Sequence, residues 1–550
     1  MLYPKIPLAQ SLIELFRQKG IEHIVISPGS RNAPLTIGFA SNPNFICYSI
    51  ADERSAAFFA MGMAQQLQKP VAVVCTSGSA LLNYYPAVAE AFYAQIPLIV
   101  VSADRPLSKI DIGDGQTIRQ QNVFENHILY SANLAEEASV ANDLKICEAI
   151  DKAQLLKGPV HINIPFEEPL YDTIAELSYQ PVVTSIQEEQ ISVEDSSAFV
   201  SVWNKAKRKL ILVGVNYPNQ IDAVIIEQLA NDPSVVVMTE ATSNLHHPSF
   251  VSKIDVLITP FDQEQFNALQ PEILVTFGGM IVSKRIKSFL RKYKPQQHWH
   301  IDGLRAYDTF GSLSHHFKEE PNAFFKRFLA QTKAVESDYK RFVQAFSTIR
   351  ATKSYDFSVN APYSDFSVFE QIAQSLPEEL QLQISNSSAI RYVQLFNLSP
   401  TIEVFCNRGT SGIDGSTSTA VGAALISQKP VVLLTGDVSF FYDSNALWNK
   451  HTTDNFKIIL INNSGGGIFR ILPGHQKTEL FSTFFETKHN LNASHLAKMF
   501  GFNYFHAQNP LEVQVGLEKF FQCQSKCILE IATPTGVNDV VLSDFFKALN

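Results

Sequence analysis

The run from Gly436 to Phe469, GDVSFFYDSNALWNKHTTDNFKIILINNSGGGIF, limits the fold of this chain more than any other stretch. Ahead of it, after Pro430, stands the short apolar run Val431-Val432-Leu433-Leu434-Thr435. Such a run reads as a parallel strand buried on both faces, and it delivers Asp437 to its carboxyl end. Helical character is expected from Ser444 to His451, followed by a second apolar strand, Ile458-Ile459-Leu460-Ile461, ending at Asn462-Asn463. Two such strand ends joined by a helical crossover put oxygen side chains on one edge of a sheet, where open α/β sheets bind ligands. A hard cation such as Mg²⁺ takes oxygen ligands in an octahedron and shares them with phosphate. Asp437, the amide oxygen of Asn463, and a backbone carbonyl near Gly465 would supply half of that shell. Glycines 465–467 leave the backbone bare for close approach. A plain βαβ unit with turn residues at its strand ends has the same pattern, so both readings stay open on this stretch alone.

The rest of the chain repeats the alternation. Short apolar strands are expected at 24–26, 45–50, 71–74, 97–101 and 160–164, with helices at 9–19, 56–66 and 83–93 between them. A second series has strands at 210–215, 235–239, 273–277 and 298–302. A third begins with a helix at 366–375 and adds strands at 382–385, 403–405, 431–435, 458–461 and 527–531. Strands alternating with helices predict an α/β fold, here three doubly wound parallel-sheet domains over 1–180, 190–350 and 360–550. The Gln- and Glu-rich segment 171–195 and the segment 354–364 read as linkers. A net charge of −9 with no basic block argues against a nucleic-acid partner. The six cysteines form no CxxC pair, which suggests neither a disulfide framework nor a zinc site. MLYPKIPLAQ has no signal-peptide pattern and no apolar run is long enough to cross a bilayer, so a cytoplasmic protein without a membrane partner is expected.

Two constellations carry candidate chemistry. Glu53 opens a helix in DERSAAFFAMGMA; on these residues alone an acidic helix start stabilised by the helix dipole is the better account of it. Arg31 in SPGSRNAPLT, Arg105 in SADRP, Lys284 in VSKRI, Arg391 in SNSSAIRYVQ and Arg408 in NRGTSGIDGS stand near strand and helix ends. Each alone reads as a solvated or capping cation. As a set, in a chain of net charge −9, they point to a polyanionic substrate, since guanidinium groups pair bidentately with carboxylates.

GD, a helix, then NN before a glycine-rich turn resembles the metal and diphosphate motif of thiamine-diphosphate enzymes. Here Val438 replaces the glycine that usually follows the aspartate, and the Asp437-to-Asn463 spacing is one residue shorter than usual. SPGSR, DERSA, TSG, SADRP, GQTIRQ, NRGTSGIDGS, GDVSFFYD and NNSGGGIF occur in order over nearly the whole chain. Together they resemble the 2-succinyl-5-enolpyruvyl-6-hydroxy-3-cyclohexene-1-carboxylate synthase family of the menaquinone pathway.

The resemblance implies a pyrimidine-binding, a central and a diphosphate-binding domain, in that order. It also implies thiamine diphosphate with Mg²⁺ or Mn²⁺, and a homodimer or dimer of dimers with active sites between subunits. The implied reaction joins 2-oxoglutarate to isochorismate with loss of CO₂. Glu53 matches the residue that activates the cofactor through its aminopyrimidine ring. Ser77, Gly78, Gly412, Asp414, Val438 and Ser439 match cofactor contacts, and Ile413 the aliphatic wedge that bends the cofactor. Asp437, Asn463 and Gly465 match the metal ligands. Ser387, Arg391 and Arg408 match residues that hold the succinyl end of 2-oxoglutarate. Ser30, Arg31, Arg105, Gln116 and Lys284 match those that hold isochorismate, and Ile468 and Phe469 also match substrate contacts. Gly115 stands where some relatives have asparagine. The alternative on these motifs is another thiamine-dependent decarboxylase or carboligase, acetolactate-synthase-like, which would share Glu53 and Asp437 but not the cation set. A dinucleotide role for the middle domain is disfavoured: Phe277-Gly278-Gly279 follows a strand, but no GxGxxG accompanies it.

Overall fold

The computed structural model describes residues 2–186, 195–471 and 478–550. A two-residue ladder pairs β1 (Tyr3–Pro4) antiparallel with β8 (Thr173–Ile174). All other named strands fall into three parallel sheets. The first holds β2 (His23–Ile26), β3 (Ile46–Ser49), β4 (Val71–Cys75), β5 (Leu98–Asp104), β6 (Ser131–Asn133) and β7 (Val160–Pro165), in the order β3-β2-β4-β5-β7-β6. The second holds β9 (Lys209–Val213), β10 (Val235–Met238), β11 (Ile273–Phe277), β12 (Gln297–Ile301) and β13 (His315–Phe317), in the order β10-β9-β11-β12-β13. The third holds β14 (Gln381–Ile384), β15 (Glu403–Cys406), β16 (Val431–Gly436), β17 (Phe456–Asn462), β18 (Asn503–Ala507) and β19 (Cys527–Ala532), in the order β15-β14-β16-β17-β19-β18.

The central strands are buried along their length, as apolar runs covered by helices on both faces must be. The edge strands β6, β13 and β18 escape sequence reading because their residues, SAN, HHF and NYFHA, lack such runs. Their pairing comes from the neighbouring strand, not from local composition.

The first and third sheets share one topology although their sequences show no obvious repeat. The helix after the second strand in each, Glu53–Leu67 and Ser416–Ile426, is buried nearly all round. These helices cross each other and join the two domains in one core. Glycine makes the crossing possible. A Cβ at Gly62 would fall 2.1 Å from the Thr419 carbonyl oxygen, and one at Gly422 would fall 2.0 Å from that of Phe59.

Three expectations change. The 444–451 helix is instead a helix at Asp437–Tyr442, starting on the aspartate itself, and a 3₁₀ turn at Ser444–Leu447. The reading of 354–364 as a linker fails in its first half, because the helix Tyr339–Val359 runs through it and packs Phe357 on Phe366 and Phe545. The segment 171–186 is fastened to the first domain: Tyr179 and Val182 donate to Asp143, and the Ile186 N–H donates to Asp151. The rest of that expected linker, 187–194, lies outside the described residues.

Candidate active site

In the third sheet β15, β14, β16 and β17 lie side by side, and their carboxyl ends lead into Arg408, Ser387, Asp437 and Asn463. Asp437 is buried. Its Oδ1 accepts from the Val438 N–H at 2.7 Å, and its Oδ2 from the Gly465 N–H at 2.9 Å. His489 Nε2 lies 3.3 Å from the same Oδ2, which raises the histidine's pKa. Asn463 is also buried, and its Nδ2 donates to Asp365 Oδ2 at 3.0 Å. That bond turns Asn463 Oδ1 the other way, where it has no hydrogen-bond partner among the described residues. A buried amide oxygen without a donor is costly, and a cation beside Asp437 would satisfy it. Among the described residues no three His, Cys, Asp or Glu side chains gather into a closed metal site. One carboxylate and one amide oxygen suit Mg²⁺ or Mn²⁺ that shares its shell with a diphosphate. Gly465 adopts φ +148°, and its carbonyl accepts from the Gly467 N–H at 3.0 Å, leaving one lone pair.

Asp365, which sequence reading missed, holds this geometry. It is buried, and its Oδ1 accepts from Thr533 Oγ1 at 2.5 Å. Burial pushes its carboxyl up to about 6, against the hydrogen bonds from Thr533 and Asn463. In sequence it looks like an ordinary acidic helix start, and only the fold brings it to Asn463.

Arg391 and Arg408 share the same edge. Arg391 Nη1 donates to the Ser387 carbonyl at 2.7 Å, and Arg408 Nη1 to Asn386 Oδ1 at 2.6 Å. Ser387 stands at φ 70°, which bends the chain into the helix Ser388–Val393. Burial first, then the neighbouring Arg408, lowers the Arg391 pKa. Two guanidinium groups pressed together in this way favour an anion between them. Arg391 also lines a cavity of about 430 Å³ between the second and third domains, with Lys284, Arg285, Ser388 and Ile468. Arg285 was not singled out from the sequence; its guanidinium lies 4.4 Å from the Phe546 ring centroid. Glu240 supports this wall by accepting from the N–H groups of Val282 and Ser283, both at 2.7 Å. Phe469 stands beside Ile468 on the short helix Ile468–Ile471. Ile413 is 36% exposed, unusual for an isoleucine this close to a core, and its carbonyl accepts from Ser439 Oγ at 2.6 Å. The Gly412 carbonyl accepts from Asn386 Nδ2 at 2.7 Å, and a Cβ at Gly412 would strike Asp414 Oδ1.

The remaining candidates occupy the matching edge of the first sheet. Ser30 and Arg31 follow β2, Glu53 follows β3, Ser77 and Gly78 follow β4, and Arg105 follows β5. Burial raises the Glu53 pKa, opposed by its own backbone N–H and assisted by Asp52. Its neighbours in the motif are structural: Asn445 Nδ2 donates to Asp52 Oδ2 at 2.7 Å, and Arg54 Nη2 to the Tyr442 carbonyl at 2.8 Å. Ser77 Oγ donates to the Gln116 carbonyl at 2.9 Å, and Gln116 adopts φ 53° with its side chain exposed. Arg105 pairs with Asp114 at 3.3 Å. Arg31 is turned inward, donating to the Phe166 carbonyl at 3.0 Å and to Glu168 at 3.3 Å. Among the described residues, no hydrogen bond or ion pair joins a candidate on this edge to one on the third sheet's edge.

Family models match at three places. Residues 6–132 match "Thiamine pyrophosphate enzyme, N-terminal TPP binding domain", 178–384 "Middle domain of thiamine pyrophosphate", and 387–531 "Thiamine pyrophosphate enzyme, C-terminal TPP binding domain". The chain is 64% identical to the 2-succinyl-5-enolpyruvyl-6-hydroxy-3-cyclohexene-1-carboxylate synthase of Flavobacterium johnsoniae, with all of both chains covered. It is 62% identical to the synthase of that name from Flavobacterium psychrophilum, again over all of both chains. It is 51% identical to that of Christiangramia forsetii, over 100% of this chain and 99% of the relative. The chain belongs to this synthase family.

It is therefore a thiamine-diphosphate-dependent transferase of menaquinone biosynthesis, not an acetolactate-synthase-like enzyme. In the middle domain of this family member the strand order reverses between β9 and β11. A Cβ at Gly214 would fall 1.9 Å from the Gly279 carbonyl oxygen, so two backbone turns approach closely at this point. The domain contributes Lys284 and Arg285 to the cavity.

Proposed function

We propose that the chain decarboxylates 2-oxoglutarate and adds the resulting succinyl group to isochorismate, giving 2-succinyl-5-enolpyruvyl-6-hydroxy-3-cyclohexene-1-carboxylate and CO₂. The observation that carries the reading is the placing of Arg391 and Arg408 on the sheet edge that also bears Asp437 and the unpartnered Asn463 oxygen. When bound, thiamine diphosphate would supply the nucleophilic carbon and the electron sink that decarboxylation of a 2-oxo acid needs.

The chain's own residues divide the remaining tasks. Asp437, Asn463 and the Gly465 carbonyl hold Mg²⁺ or Mn²⁺, and Gly412, Asp414, Val438 and Ser439 border the diphosphate. Ile413 bears on the cofactor's waist, which accounts for its exposure. Arg391 and Arg408, with Ser387, grip the distal carboxylate of 2-oxoglutarate. Lys284 faces the same cavity from the middle domain and meets the second acid. Glu53, its pKa raised by burial, exchanges a proton with the aminopyrimidine nitrogen. Ser77 and Gly78 flank that ring, and Ser30, Arg31, Arg105 and Gln116 border isochorismate, with Ile468 and Phe469 opposite. Each site is completed from two subunits of a homodimer or a dimer of dimers, with Glu53 from one and Asp437 from the other. We place the enzyme in the cytoplasm; among the described residues no helix is long and apolar enough to cross a membrane.

The deciding measurement is CO₂ release from 2-oxoglutarate, with and without isochorismate. Isochorismate should accelerate it and yield the condensed triacid. Turnover of pyruvate with none of 2-oxoglutarate would refute the proposal.

A further inference from the structure

Glu90 lies on the helix Tyr85–Ala94 of the first domain, yet its carboxylate serves the third. It is buried. Its Oε1 accepts from the Gly409 N–H at 2.6 Å, and its Oε2 accepts from the Thr410 N–H at 2.6 Å and Thr410 Oγ1 at 2.8 Å. The approach is close enough to require glycine. A Cβ at Gly409 would fall 2.4 Å from the Glu90 carbonyl oxygen and 3.0 Å from the Ala94 nitrogen. Three short charge-assisted bonds to a buried carboxylate make a firm anchor, and removing it leaves donors stranded out of water.

The anchored loop runs from β15 to the helix Ser416–Ile426 and carries Arg408 and Ile413. Its other fastenings come from the third domain. Asn386 Nδ2 donates to the Asn407 and Gly412 carbonyls at 2.7 Å each, and Ser439 Oγ donates to the Ile413 carbonyl. Arg408 is thus held through Asn386 on one side and through the backbone at 409–410 on the other. Its Nε is buried and has no hydrogen-bond partner among the described residues. The segment that carries this guanidinium is thus fastened from the first domain as well as from the third.

We propose that Glu90 is a positioning residue for substrate selection: by fixing 409–410 from the first domain it aims Arg408 at the distal carboxylate of the 2-oxo acid. The inference rests on the reading of Arg408 as a carboxylate clamp. It makes the docking of the first domain on the third a condition for recognising a diacid. Misplacing a clamp by a fraction of its reach costs on the order of 10–100-fold.

The test compares inhibition by glutarate, which keeps both carboxylates, with inhibition by pentanoate, which keeps one. Glu90→Gln should raise the glutarate inhibition constant about tenfold or more and leave that of pentanoate within about twofold. Gly409→Ala, which pushes the same loop off Glu90, should act in the same direction and serves where Glu90→Gln does not fold. Unchanged glutarate inhibition in these variants, or an equal loss for both acids, overturns the inference. Arg408→Ala separates the two readings. If it keeps the glutarate preference, the clamp reading is wrong and the inference falls with it. If it loses the preference while Glu90→Gln keeps it, only the role of Glu90 is wrong.

Discussion

Asp365→Asn probes the geometry of the cation site without touching a proposed ligand. The substitution keeps the shape of a buried side chain but replaces one acceptor oxygen with an NH₂ group. In the native protein both oxygens are used, by Asn463 Nδ2 at 3.0 Å and Thr533 Oγ1 at 2.5 Å. The new NH₂ must face one of these donors. If it faces Thr533 the hydroxyl can rotate and accept, and Asn463 keeps a weaker, neutral bond. If it faces Asn463 the amide must turn over, which presents nitrogen where Oδ1 should meet the cation. A hydrogen bond to a charged group contributes about 1.5–3 kcal/mol. Partners behind a metal ligand typically set affinity by about 10–100-fold, equivalent to about 1.4–2.8 kcal/mol. Calorimetric titration of Mg²⁺ at saturating thiamine diphosphate should therefore show a weakening of about 10–100-fold in the variant. Asn463→Ala supplies the scale for loss of the ligand itself. Folded Asp365→Asn with native Mg²⁺ affinity, beside a weakened Asn463→Ala, would refute the argument.

Glu53→Gln should bind thiamine diphosphate normally yet lose about 10²–10⁴ in turnover; near-native rates would move cofactor activation elsewhere. Arg391→Ala should slow CO₂ release from 2-oxoglutarate alone by about ten- to a hundredfold, the cost of one charge-assisted bond. Arg105→Ala should spare that step and raise the KM for isochorismate; equal impairment of both stages in both variants would dissolve the division between the acids. Asp443, buried and accepting from the Ser418 N–H at 2.7 Å, has its carboxyl pushed up to about 7 by burial, from an ordinary 3.8. Between those values the native state retains a proton that the unfolded chain has released, so this group's contribution makes stability fall as pH rises from about 4 to 7. Asp443→Asn should flatten that slope in denaturant melts at pH 4.5 and 7.5, and an unaltered slope would show that another group sets it.

Buried parallel strands are written into the chain locally. Runs such as Val431–Leu434 and Ile273–Val275 are apolar at every position because both faces of the strand are covered. Asp437, Asn463, Glu53 and the loop cations could be picked out for a related reason: they stand where those runs stop, and a parallel sheet presents its ligands at that edge. The family motifs then attached names to the positions. What lay beyond reach depends on partners far apart in the chain. Asp365 is 98 residues from the amide it orients, and Glu90 is 319 residues from the backbone it anchors. Each is a single ordinary acid on a helix, with no local pattern to mark it. Packing alone takes their carboxylates out of water and leaves them only those distant donors. The same holds for β6, β13 and β18, whose residues become strands only because a neighbour's backbone offers them hydrogen bonds. It holds too for Gly62 and Gly422, whose missing side chains acquire meaning only where two helices cross.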